Sequence, residues 1–199
     1  MFGQNKGTGE RCVMDAIESL DWGAYAHFSN EASRYPAVAE FMQNAYYLSS
    51  YVAVSLLLLI AVTLFLVQKK RRSALVVLVS FLAAVVLIEA IRWLVPRRRP
   101  EDAQLFLGPE AMRGSYPSAG VFLFTLVLIF IAFALWSVLP RVWGRGAYVL
   151  IAALLVGWVC ISQFFLAIHF VTDVIGGLAG AALVSWVAYK CLSEASAKS

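Results

Sequence analysis

Residues 146–168 read GAYVLIAALLVGWVCISQFFLAI without a single charge, and the next five are His169, Phe170, Val171, Thr172 and Asp173. A helix needs about 20 apolar residues to cross a hydrocarbon core of ~30 Å, so this run is long enough to span a bilayer. It shows no alternation of period two, which removes the strands of a membrane barrel. Four further uncharged runs flank it: Phe41–Gln68, Ser73–Ile88, Gly114–Pro140 and Val174–Tyr189. The pattern predicts spans near 48–68, 73–95, 117–139, 146–168 and 171–191. The expected fold is an all-α integral membrane protein, a bundle of five transmembrane helices.

Composition carries the same class. Of 199 residues, 61% are apolar and 14% charged, against about 45–50% and about 25% in soluble domains. A mean hydropathy of +0.78 leaves too little polar surface to cover a globule of this size. Disorder, a disulfide mini-protein and a nucleic-acid binder are excluded with the soluble reading, although the net charge is +4.

The N-terminal stretch is different. Met1–Met14 is polar and lacks the apolar core of a secretory signal. Residues 14–47 mix Leu20, Trp22, Tyr25, Phe28, Tyr35, Phe41 and Tyr46 with Asp15, Glu18, Asp21, Glu31 and Glu40. That mixture predicts amphipathic helices at the membrane interface. Three regions are expected: an extracytoplasmic 1–47, a five-span domain over 48–191, and a cytoplasmic tail over 192–199.

Orientation follows from the basic residues. Lys69, Lys70, Arg71, Arg72, Arg141, Arg145, Lys190 and Lys198 fall on one side with a single acid, Glu194. The positive-inside rule places that side in the cytoplasm. The N-terminal tail and the 97–116 loop then face outward, in a plasma or bacterial inner membrane. Arg92, Arg97, Arg98, Arg99 and Arg113 lie on the outer side against that rule. Guanidinium forks match phosphate oxygens bidentately, so a phosphate-bearing ligand accounts for them.

Cys12, Cys160 and Cys191 offer no disulfide framework, and Gly176, Gly177 and Gly180 read as a close-packing face. His169 and Asp173 are four apart, a spacing that on one helix puts both on one face, with Ser162 two turns below. Such a pair is either a satisfied polar pair at the interface or an imidazole oriented by a carboxylate. The arginines on the same surface favour the second.

At this point the chain resembles a family. Arg99-Pro100, Pro117-Ser118-Ala119-Gly120 and Ser162-Gln163-x5-His169-x3-Asp173 look like the three signatures of the type-2 phosphatidic acid phosphatase and vanadium haloperoxidase superfamily. Those signatures run K-x6-R-P, P-S-G-H and S-R-x5-H-x3-D. The resemblance covers roughly residues 15–191. Membrane members usually have six spans with the motifs facing outward, and this chain lacks the first.

The resemblance implies that His169 attacks phosphorus and forms a phosphohistidine while Asp173 orients it. Arg92, in the place of the family lysine, would hold phosphoryl oxygens with Arg99, Ser118 and Gln163. Arg97, Arg98 and Arg113 are possible accessory groups. No metal or other cofactor is implied. The partners are membrane lipids and a phosphorylated lipid, with no nucleic acid.

Two departures matter. Gly120 stands where the second motif has histidine, and Gln163 where the third has arginine. A positioned general acid is worth ~10²–10⁴ in rate. Its loss costs most for an alkoxide leaving group and less for a diphosphate, which departs as a phosphate of pKa about 6. The expected substrate is therefore an isoprenoid or lipid diphosphate rather than a monophosphate. The alternative is a degenerate member that binds phospholipid, phosphate or a protein without turnover. His27, Glu101 and Asp102 are weaker substitutes for the acid, and Glu89 is expected to pair with Arg92 along their helix.

Overall fold

The computed structural model describes residues 7–101, 103, 107 and 114–197. Among them the chain forms seven helices and no strand: α1 (Gly7–Arg34), α2 (Pro36–Leu48), α3 (Tyr51–Val67), α4 (Arg71–Leu94), α5 (Ala119–Leu135), α6 (Trp143–Phe165) and α7 (Val171–Ala197). The N-terminal region is thus two helices. Pro36 opens α2 in the first turn, where its missing N–H has no partner to lose. Ser50 caps α3 by accepting the Ala53 N–H at 3.3 Å, and α2 meets α3 at a bend of 48°.

The chain is an integral membrane protein. Three helices are long and apolar enough to cross a bilayer: Arg71–Leu94, Trp143–Phe165 and Val171–Ser193. A fourth crossing arises if α2 and α3 form one broken span, while α5 is apolar but only 17 residues long. Their outward faces carry Leu82, Val86, Trp93, Leu154 and Trp186, all exposed. Apolar side chains in that position suit lipid tails.

The bundle is built around α5. Val121, Phe122, Leu126, Val127, Phe130 and Ala134 are fully buried along it. The small face of α7 lets the two backbones approach. A Cβ on Gly177 would stand 2.8 Å from the Ser118 carbonyl oxygen, and one on Gly180 would strike the Phe122 ring. Glycine is required at both positions by contact.

The connection from α6 to α7 sets the site. Ala167 takes a left-handed φ of 52°, and the Ile168 N–H reaches back to the Gln163 carbonyl at 3.0 Å. This 6→1 closure ends α6. His169 therefore lies in the turn, and Asp173 in the first turn of the next helix. The two do not share one helix as their spacing suggested; the pair bridges a tight turn between two helices. The ends of α4 and α6 and the starts of α5 and α7 meet there, at one end of the bundle.

Candidate functional site

Backbone contacts join the three motifs. The Ser115 N–H donates to the Arg97 carbonyl at 2.9 Å, and the Ser118 N–H to the Asp173 carbonyl at 3.0 Å. The Gln163 carbonyl accepts the His169 N–H at 3.3 Å. The ring of His169 is buried at 6% exposure. Its Nδ1 faces Asp173 Oδ2 at 3.4 Å, and its Nε2 faces Arg99 Nη1 at 3.0 Å. A guanidinium can only donate. Nε2 must accept, so the ring proton belongs on Nδ1, toward the carboxylate.

Asp173 is fully buried and each of its oxygens is tied. Oδ2 also accepts the Phe170 N–H at 3.0 Å, the return contact of a helix N-terminal box. Oδ1 accepts from Arg97 Nη1 at 2.9 Å.

The electrostatics follow from burial. Desolvation pushes the His169 imidazole down to about 4; its hydrogen bond to Asp173 pulls the other way, and the Arg99 charge pushes down again. Desolvation and the like charge of Arg92 bring Arg99 down to about 10, with Asp173 opposing. Two guanidiniums beside the imidazole, Arg92 buried and Arg99 partly so, make surroundings that favour an anion.

Arg92 is buried, with Nη1 on Glu89 Oε1 at 3.1 Å, the expected pair along α4. Its Nε, and the hydroxyl of fully buried Ser118, have no hydrogen-bond partner among the described residues. Buried polar atoms left open at a site are positions where a ligand oxygen would be welcome.

The remaining candidates divide. Gln163 directs its side-chain amide back along α6, to Val159 at 3.4 Å and Ser162 Oγ at 3.2 Å. Arg98 is exposed and gives its carbonyl to Ser115 Oγ at 3.3 Å. Arg97 is held by two carboxylates, Asp21 and Asp173. Arg113 and Asp102 lie outside the described residues. Glu101 is exposed, and so is His27, beside Phe28.

The model of the PAP2 superfamily matches residues 73–197, well over half of the chain. The protein belongs to the PAP2 superfamily. A solved structure described as the first transmembrane PAP2-type phosphatidylglycerolphosphate phosphatase, from Bacillus subtilis, superposes with a TM-score of 0.77. It is 25% identical, over 88% of this chain and 85% of that one. No curated protein sequence matches. The all-helical PAP2 membrane fold supports a lipid phosphatase-like role.

Within this PAP2 site, sequence reasoning missed several neighbours. Asp21 and Thr172 enter through Arg97. Tyr46 and Tyr51 stand within electrostatic range of Arg99. Ser49 lies against Gly120, where an added Cβ would meet its Oγ at 3.0 Å and its Cβ at 3.3 Å. The corner between α2 and α3 thus fills the space a side chain at 120 would enter. Only the acidic and aromatic enrichment of residues 14–47 hinted at Asp21 and Tyr46, and no sequence signal marked Ser49, Tyr51 or Thr172.

Proposed function

We propose that the protein is a membrane phosphohydrolase that takes a phosphorylated lipid through a phosphohistidine on His169. The placement of the imidazole between a carboxylate on Nδ1 and a guanidinium on Nε2 carries the reading. The charge of an incoming phosphate makes it a better partner for Arg99 than a neutral ring nitrogen, because charge-assisted hydrogen bonds are about twice as strong. Arg99 moves to the phosphate oxygens and frees the lone pair. Nε2 then forms the P–N bond as the P–O bond to the leaving group breaks. Asp173 stabilises the charge that develops on the ring, in the manner of a carboxylate–histidine pair. Water attacks the phosphohistidine in the second half, which returns the free imidazole and phosphate.

Arg92, Arg99 and Ser118 hold the phosphoryl oxygens, supported by the open Nε and Oγ atoms. Gly120 supplies no acid, so a lipid or isoprenoid diphosphate is favoured over a monophosphate. The membrane unit is a five-span domain over 48–191, with α5 as the short central span. A helix of 17 residues at about 1.5 Å per residue approaches the ~30 Å core. The site and region 1–47 face outward, and the end of α7 with 192–199 faces the cytoplasm, an orientation supported by the bias of the basic residues.

A phosphate-release assay tests the function. The substrates are a lipid diphosphate, an activated aryl phosphate and a lipid monophosphate such as phosphatidylglycerolphosphate, which the Bacillus subtilis relative's description names. The expected order is diphosphate and aryl phosphate first, with the lipid monophosphate far behind. Hydrolysis of the monophosphate alone would sink the leaving-group account. Binding of lipid phosphates without hydrolysis of any, lost in Arg99→Ala, would replace catalysis with binding.

A further inference from the structure

Asp21 lies midway along α1, upstream of the residues that match the family model, yet it is only 1% exposed. Its Oδ1 accepts the Thr172 N–H at 3.1 Å, in the first turn of α7. Its Oδ2 accepts the Thr172 hydroxyl at 2.7 Å and an N–H of Arg97 Nη2. The other arm of that guanidinium donates to Asp173 Oδ1 at 2.9 Å. An unbroken path therefore runs from α1 through Arg97 and Asp173 to the His169 ring. Packing reinforces it. The Arg97 guanidinium sits 4.5 Å above the centre of the Phe170 ring, and Trp22, next to Asp21, meets that ring edge-on at 5.3 Å.

A carboxylate this buried is strongly unfavourable without a cation, and Arg97 supplies it. The pairing also acts on Asp173. Because Arg97 is shared with Asp21 and meets Asp173 through one arm, at Oδ1 alone, it holds the rotation of that carboxylate and leaves Oδ2 facing the ring Nδ1. The same sharing removes Arg97 from the phosphate, which falls to Arg92 and Arg99.

We propose that Asp21 is a positioning residue of the phosphoryl-transfer site: α1 brings it in to hold Arg97 on Asp173, and thereby fixes the carboxylate that orients His169. This rests on His169 being the nucleophile proposed above.

The test uses the full chain in detergent, with histidine ring nitrogens labelled for NMR. The chain has only two histidines, so His27 is the internal reference. In Asp21→Asn, kcat should fall ~10–100-fold, as for removal of an outer hydrogen-bond partner, with KM within about twofold. The His169 ring signals should move while those of His27 stay. Arg97→Gln should show the same losses, and the double variant should be no worse than Arg97→Gln alone. Phe28→Ala removes an α1 ring that packs on Phe164 and Phe165 of α6, leaves the ion pairs, and should keep kcat within about threefold with His169 unshifted.

Wild-type kcat in Asp21→Asn overturns the proposal, as does an equal loss in Phe28→Ala, which would reduce Asp21 to a docking contact. Should Asp21→Asn fail to fold, Arg97→Lys decides. It keeps the charge but cannot fork between two carboxylates, so an unchanged kcat there overturns the proposal too. Should the wild type hydrolyse no substrate, the phosphohydrolase reading fails on its own. The His169 signals in Asp21→Asn then judge the positioning: a shift upholds it and no shift overturns it.

Discussion

Arg99 Nη1 stands 3.0 Å from Nε2 of His169, and because a guanidinium only donates, the ring nitrogen turned toward the arginines is the one that carries the lone pair. The proposed phosphoryl cradle and the proposed nucleophile are thus adjacent before any substrate arrives.

The pH profile follows from the burial of that ring. Desolvation lowers His169 from 6.5 to about 4, so the imidazole stays neutral well below neutral pH. The acid limb of kcat/KM is expected near pH 4. Folding has the same sign: between the ordinary value and the lowered one the unfolded chain binds the extra proton, so stability declines as pH falls through that window. An acid limb near 6.5 would mean that the ring is solvated in the working enzyme.

Arg99→Ala removes the guanidinium that faces His169 Nε2 at 3.0 Å. A loss of ~10²–10³ in kcat is expected, as for deletion of one donor to developing charge. Arg99→Lys keeps the charge but not the fork, and should recover only part of the rate. Single-turnover kinetics distinguish this from weaker binding, which would raise KM and leave kcat alone.

Asp173→Asn tests the orientation of the ring. The side chain keeps its shape but loses the charge that holds the Nδ1 proton, and a fall of about 10⁴ in kcat is expected by analogy with other carboxylate–histidine pairs. A variant within tenfold of wild type would show that Asp173 serves only to cap α7.

Gly120→His places at residue 120 the imidazole that the second motif carries there, but the surrounding structure leaves it little room. Ser49 Oγ lies 3.0 Å and its carbonyl oxygen 3.3 Å from where a Cβ would stand, and overpacking of this kind typically costs about 1–3 kcal/mol. Gly120→His alone should lose stability and rescue nothing. Paired with Ser49→Gly, it should raise turnover of alkyl lipid monophosphates while leaving diphosphates little changed. Rescue by the single variant, with an unaltered melting temperature, would show that the α2–α3 corner yields easily.

These contrasts mark what the sequence could reveal. The uncharged runs located α4, α6 and α7 to within a few residues, because lipid demands long apolar stretches and loops collect charge. Glu89 and Arg92 were legible as a pair because both lie on one helix three residues apart. The geometry of His169 and Asp173 was not: the turn between them depends on the left-handed backbone of Ala167, a conformation nothing in alanine announces. Asp21 was hidden for another reason. Its partner Arg97 is 76 residues away, and an acid in an amphipathic segment looks solvated until the helix docks.

The central claim is a phosphoryl group carried by His169. The direct measurement is to give the purified protein a lipid diphosphate labelled on its terminal phosphorus, quench within one turnover under alkaline conditions, and locate the label by mass spectrometry. The account requires an acid-labile phosphate on His169 that disappears at the rate of phosphate release and is absent in His169→Ala, which should turn over no substrate. Turnover that continues in His169→Ala, or that proceeds with the label never found on residue 169, would contradict it.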